Sequence, residues 1–212
     1  LPTALLAVTA LIVLATAILF LTRNQPPGER SVDAGFARDM SVHHGQAVQM
    51  AITVHDRTDN EAIKILSLDI MLTQHGQIGI MQGWLDAWNL ASVGEDPPMT
   101  WMGEGAEDAV NTMPSMEGMG NVPSKETATG TMRMPGWATQ EEIAALATLP
   151  VAEMNQEFLH LMIRHHRGGV LMAESAVNRA DTPQIQDLSR AIIITQQSEI
   201  SQMEQLLAEL TA

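Results

Sequence analysis

Asp39–Ala51 reads DMSVHHGQAVQMA, and Leu161–Ala173 reads LMIRHHRGGVLMA. Met40, His43, His44, Val48, Met50 and Ala51 recur as Met162, His165, His166, Val170, Met172 and Ala173, each 122 positions later. The match extends outward from the paired histidines. Phe36 recurs as Phe158, and Leu66, Ser67, Ile70, Thr73, Gln74, Ile78, Met81 and Leu85 recur as Leu188, Ser189, Ile192, Thr195, Gln196, Ile200, Met203 and Leu207 at the same offset. The copied unit therefore spans two helix-forming segments, a whole helical hairpin. One such hairpin cannot bury its own apolar face, so two are expected to pack into a four-helix bundle with a long connection crossing between them.

Local signals place the helices. Ser31 can cap a first helix running to about Val54, and Thr58-Asp-Asn-Glu61 has the form of a capping box opening a second that runs to about Ala91. So short a turn makes the two antiparallel. Ser92–Ala138 clusters Gly, Pro, Thr and Glu without periodicity and reads as an irregular crossover. Thr139-Gln-Glu-Glu142 resembles another capping box, for a short helix ending near Pro150. A third long helix carries the second histidine pair to about Arg179, and Thr182-Pro183 supplies an N-cap and an N1 proline for the last. No stretch alternates like a strand, so the fold class is all-α. The organisation predicted is a transmembrane anchor at 1–22, a linker at 23–30, a first hairpin at 31–91, a Met-rich crossover with a short helix at 92–150, and a second hairpin at 151–212.

Leu1–Leu21 contains no charged residue, about the length that crosses a hydrocarbon core. It reads as a single-pass membrane helix, with a cleaved signal peptide as the alternative; the run is long for a signal core and no clear A-x-A site follows. The 212 residues carry a net charge of -14, which argues against nucleic acid as a partner because a phosphate-binding surface must be positive. A cation is the more natural small partner. There is no cysteine, which removes disulfides, thiolate sites and c-type haem attachment and leaves methionine as the soft ligand available. An N-terminal anchor, an acidic bulk and no cysteine fit a domain on the extracytoplasmic side of a bacterial membrane.

Phe36, Met40, His43, Ala47 and Met50 are spaced as the seam of a bundle helix, and Phe158, Met162, His165, Gly169 and Met172 repeat it. This turns His43 and His165 into the core and places His44 and His166 about 100° round toward the flank. In the partner segments the apolar stripe is interrupted by Thr73, Gln74 and Gln77, and by Thr195, Gln196 and Glu199. Counting from the turn near Arg57 puts Thr73 and Gln74 level with His43. Two readings stand side by side. The layer is either a hydrogen-bonded network that needs no ligand, or a metal site formed by His43, His44, His165 and His166 with Met40, Met50, Met162 and Met172. Imidazole with thioether suits copper, as Cu(I) or Cu(II), ahead of zinc.

Met99, Met102, Met113, Met116, Met119, Met132 and Met134 crowd the crossover, either as a second Cu(I) store or as cover for the bundle. His55 and His75 lack a repeated counterpart and read as surface or hairpin residues. Glu157-Phe-Leu-His160 has the Glu-x-x-His form of di-iron bundles, but the first copy offers Gly35 and Arg38 there, so no di-iron site is expected. The four tryptophans, Trp84, Trp88, Trp101 and Trp137, read as packing or membrane-facing residues.

FARDMSVHHGQAVQMA, the pattern of Thr73–Leu85, MPGWATQEEIAAL and FLHLMIRHHRGGVLMAESA resemble, in that order, an exported domain-of-unknown-function family with paired-histidine motifs that includes CopM-like periplasmic copper-binding proteins. The resemblance implies a ferritin-like bundle and the same eight His and Met ligands. The chain departs from the family pattern at Trp137, where methionine is usual, and at Gln77, where glutamate is common. The expected function is copper sequestration or delivery without catalysis; a non-catalytic docking or assembly subunit of a membrane complex, such as a respiratory one, is the alternative.

Overall fold

The computed structural model describes residues 7–16, 25–103 and 134–211. Helices begin where an oxygen can receive their free amides. Ser31 accepts from Ala34 N and opens α1 (Val32–His55). Asn60, not Thr58, opens α2 (Glu61–Ala87): its Oδ1 accepts from the amides of Ala62 and Ile63, while the Thr58 hydroxyl accepts from Asn60 N. Asn60 takes the cap because the Thr58 hydroxyl is already engaged within the turn, accepting from Asn60 N. Thr139 and Glu142 form the expected reciprocal box at α3 (Gln140–Leu146). The helix α4 (Val151–Arg179) follows Pro150, and α5 (Pro183–Thr211) begins at its proline as the sequence indicates. The first part of the crossover carries a 3-10 turn at Thr100–Met102. Among the described residues there is no strand.

The four long helices bury two apolar clusters, one at each end of the bundle. One joins Ala47, Met50 and Val54 of α1 and Ile63, Leu66 and Ile70 of α2 to Phe158 and Met162 of α4 and Met203 of α5. The other joins Phe36 and Met40, Met81 and Leu85, Met172 and Ala176, and Ile185 and Ile192. The early half of α1 thus packs with the late half of α4, so the two run antiparallel. This direction requires the crossover to travel the length of the bundle, as a single long connection does in ferritin-like bundles. The helices α1 and α4 form the central pair, flanked by α2 and α5.

Asp33 of α1 bridges the hairpins. Fully buried, it accepts from the amides of Asp181 and Thr182 at 3.0 and 2.9 Å, immediately before α5. Asp33→Ala is expected to destabilise the fold by about 2 kcal/mol, because two amides lose a charged acceptor. Urea unfolding measures it, and recovery of about half the loss in Asp33→Asn would trace the effect to that cap.

The predicted anchor is not carried by the structure. Residues 7–16, the described part of the predicted span, are helical. Among the described residues no helix is long and apolar enough to cross a membrane. Residues 1–6 and 17–22 of the predicted span lie outside the described residues, as do Met113, Met116, Met119 and Met132 of the crossover.

Candidate metal centre

Between the two apolar clusters all four long helices turn polar side chains inward. His43 and His44 come from α1, Gln74 and Gln77 from α2, His165 and His166 from α4, and Gln196 and Glu199 from α5. All four histidines are fully buried. The rings of His43 and His165 stack across the central helix pair with centroids 3.7 Å apart and planes 28° apart. Such contact suits neutral rings and would set two imidazolium charges against each other. Burial, first of all, lowers the pKa of His43 to about 4 and that of His44 to about 3, and drives His165 well below the usual imidazole range; neighbouring histidines add to it.

His44 and His166 are not on the flank. Their Nε2 atoms lie 2.7 Å from Gln77 Oε1 and 2.7 Å from Glu199 Oε2, so each is bound inside its own hairpin. The second ring is turned inward because a hairpin covers a wider arc of helix than a single seam. Gln74 is buried as expected, whereas Thr73 is exposed and Thr195 half-buried. No room is left at Gly169, since a Cβ there would collide with the Gln196 amide.

The crossover closes over this layer through one row of α1. Asp39, His43 and Gln46 recur at four and three positions and share a face. Asp39 Oδ2 accepts from Met99 N at 2.6 Å and Trp101 Nε1 at 2.8 Å. His43 Nε2–H donates to Pro135 O at 3.0 Å. The Gln46 amide both donates to Ala138 O and accepts from Ala138 N, at 2.9 and 2.8 Å. Met134–Ala138 therefore lies as a strap across α1 and α4. Gly136, at φ +71°, sits where a side chain would strike Arg164 O, and Gly168 sits where one would strike Pro135 O. Arg164 also makes two bonds to Glu142, at 2.9 and 2.7 Å, which hold α3 beside the strap. Trp137 ends it with a ring centroid 6.5 Å from that of His43.

Sequence reasoning did not find the Pro135 carbonyl or Gln46. The available signal was Gly168-Gly169, because paired glycines inside a helix weaken it and point to a backbone packed closely on it. His75 is exposed, and His55 contacts Lys64 O at 3.2 Å near the hairpin turn, both as expected. Trp101 is core, edge-on to Phe36. Met99 and Met134 are buried in the same cluster as Met40 and Met172.

Of the predicted ligands the four histidines share one layer, whereas the methionines divide between its two sides. Met50 and Met162 belong to one apolar cluster and Met40 and Met172 to the other, all fully buried. Among the described residues no group of three or more His, Asp or Glu side chains is arranged to hold a metal ion. The hydrogen-bond network is nonetheless incomplete. Nδ1 of His43, His44 and His166, both ring nitrogens of His165, and both amide ends of Gln74 and Gln196 are buried with no partner. Each such group costs about 1–3 kcal/mol. Neutral imidazole nitrogens flanked by thioether-rich clusters are the donor chemistry that copper takes, so the residues fit that ion.

Fold and site together define a duplicated helical-hairpin bundle with a buried paired-histidine layer at its middle. The chain belongs to the domain-of-unknown-function family DUF305, which matches residues 33–207. Among solved structures it is similar to a DUF305 protein from Streptomyces coelicolor, named as a candidate secreted protein, at 44% identity and TM-score 0.72, over 87% of this chain and 97% of that one. A DUF305 fragment from Deinococcus radiodurans follows at 30% identity and TM-score 0.63, covering 84% and 96%. CopM in its Cu(II)-bound form shares 25% identity and a TM-score of 0.56 over 84% and 96%. An uncharacterised protein, L153 of Acanthamoeba polyphaga mimivirus, is 40% identical over 55 residues, 26% of this chain and 36% of that protein.

Proposed function

We infer that the chain binds copper on the extracytoplasmic side of the membrane and sequesters or hands it on without turnover chemistry. The observation that carries this is the set of buried, partnerless imidazole nitrogens contributed in duplicate by α1 and α4. A purely structural layer would be expected to satisfy them or to replace them with apolar groups. Supporting it, the CopM bundle is known in Cu(I)-, Cu(II)- and silver-bound forms. His43 and His44 in one half and His165 and His166 in the other would hold copper, with Met40, Met50, Met162 and Met172 as the thioether donors nearest in sequence. Bound copper would supply no reaction here; the chain would desolvate the ion, hold it, and release it to a partner.

Residues 25–212, equilibrated with Cu(I) under anaerobic conditions or with Cu(II) and then desalted, are expected to retain copper. His43→Gln/His165→Gln and His44→Gln/His166→Gln are each expected to lower retention at least tenfold while the helical circular dichroism is preserved. Retention unchanged in both pairs would remove the histidine layer from the function. Trp137 emission should be quenched on loading, given its place beside His43.

Membrane tethering rests on the uncharged run Leu1–Leu21 and on the exposure of Leu11, Ile12, Val13 and Leu14, each more than half accessible. Release of the full chain from membranes by alkaline carbonate would end that part of the reading. No specific observation favours the assembly-subunit alternative. Its exposed apolar residues include a short stripe on one face of α2, Ile65, Leu68 and Leu72 at spacings of three and four, with Val42, Ile52 and Ile194 standing apart on other helices; a stripe of three side chains is a small patch of the size that ordinary surfaces carry.

A further inference from the structure

The two copies of the histidine layer differ at a position that touches a ring. Gln77 Oε1 receives His44 Nε2–H in the first hairpin, and Glu199 Oε2 receives His166 Nε2–H in the second. Gln77 and Glu199 stand 122 positions apart, so they are copies of one site that now differ by a charge. An ionised carboxylate only accepts, as does the Pro135 carbonyl bonded to His43. In a neutral ring these bonds place the single proton on Nε2. The other nitrogen, Nδ1, is buried and bare in His43, His44 and His166 alike, so a proton placed there would have no acceptor. An imidazole with its N–H held by oxygen and its second nitrogen free is oriented to ligate a metal through that free atom.

We propose that Gln77 and Glu199 are positioning residues that make the two halves unequal, the Glu199 half fitted to a divalent ion such as Cu(II) and the Gln77 half to a monovalent one such as Cu(I). This rests on the copper-binding reading and adds which half takes which charge. The reason is the cost of burying charge. A dication in a dry layer needs a compensating anion within the layer. The Glu199 side chain is 12% exposed and supplies that charge through His166, whereas Gln77 is neutral. A carboxylate partner also makes the ring a stronger donor than an amide does.

Glutamate and glutamine are close in size, so the exchange tests charge with little change in packing. Glu199→Gln is expected to weaken Cu(II) binding about 10–100-fold while Cu(I) affinity, read by competition with a chromophoric chelator, changes less than about threefold. Gln77→Glu is expected to strengthen Cu(II) binding in the first half, visible as a second Cu(II) signal by electron paramagnetic resonance. In the metal-free protein, nitrogen-15 spectra of the histidine side chains should show the Nε2–H tautomer at His43, His44 and His166. An Nδ1–H tautomer at His166, or equal losses of Cu(I) and Cu(II) affinity in Glu199→Gln, would overturn the inequality while leaving copper binding standing. No uptake of either ion by the unaltered protein would overturn both.

Discussion

Between pH 6.5 and 4 the metal-free protein is expected to lose several kcal/mol of stability. His43 and His44, fully buried, titrate in the folded chain at about 4 and about 3, and His165 is also lowered by burial. In the unfolded chain all three return to about 6.5. Above that pH the rings are neutral in both states and contribute no pH dependence. Below it the unfolded chain takes up protons that the folded chain refuses, so stability falls as pH falls until the folded values are reached. Each unit of difference is worth about 1.4 kcal/mol per ring, against total domain stabilities of about 5–15 kcal/mol. Among the carboxyls, burial works to raise half-buried Glu142 but its bonds to Arg164 and Thr139 lower it, which adds to the loss on acidification, whereas Asp39 is raised by burial against the bonds from Met99 and Trp101, which opposes it. Urea midpoints measured from pH 8 to pH 4.5 should therefore decline steeply below 6.5. The slope should flatten in His43→Gln/His165→Gln. A flat profile in the unaltered protein would show that the rings are not held neutral in a dry layer.

Gly168→Ala is expected to destabilise the fold by about 2–4 kcal/mol and to free the strap. In a helix interior, alanine normally gains about 1 kcal/mol over glycine. Here the new methyl group would occupy the place of the Pro135 carbonyl, a backbone atom that can yield only if Met134–Ala138 lifts. Lifting it breaks the His43–Pro135 bond and both Gln46–Ala138 bonds. Gly76 and Gly79 on α2 provide the control, since a Cβ at either meets open space. Their alanine variants should stabilise by about 0.5–1 kcal/mol each. Opposite signs at 168 and 76, together with a red-shifted Trp137 emission in Gly168→Ala alone, would locate the close approach. The same sign at both positions would place the strap elsewhere.

The repeat made much of this structure legible. A 122-residue offset shared by Phe36, His43, Met81 and their copies forces two equivalent hairpins, and caps such as Ser31 and Thr139 fix where helices start. Burial of His43 and His165 followed from seam spacing alone. The inward turn of His44 and His166 did not, because seam spacing describes one contact line, while a helix inside a bundle is covered from two sides. The cap at Asn60 was hidden by a nearby threonine with the same chemistry, and the choice depended on the path of the turn. Of the membrane span predicted at 1–22 the described residues include the helix at 7–16, and no helix among them is long and apolar enough to cross a membrane.

By itself the sequence determined an all-α bundle with an acidic surface, built from two copies of one hairpin with imidazoles at its middle, because periodicity, caps and internal repetition are local properties of the chain. Tertiary structure alone decided which nitrogens stay bare, how the methionines divide between the two ends, and that a strap from the crossover closes the layer through Pro135. Those features depend on backbone atoms brought together from positions 92 residues apart, and a carbonyl or an amide carries no side-chain letter by which its partner could be read.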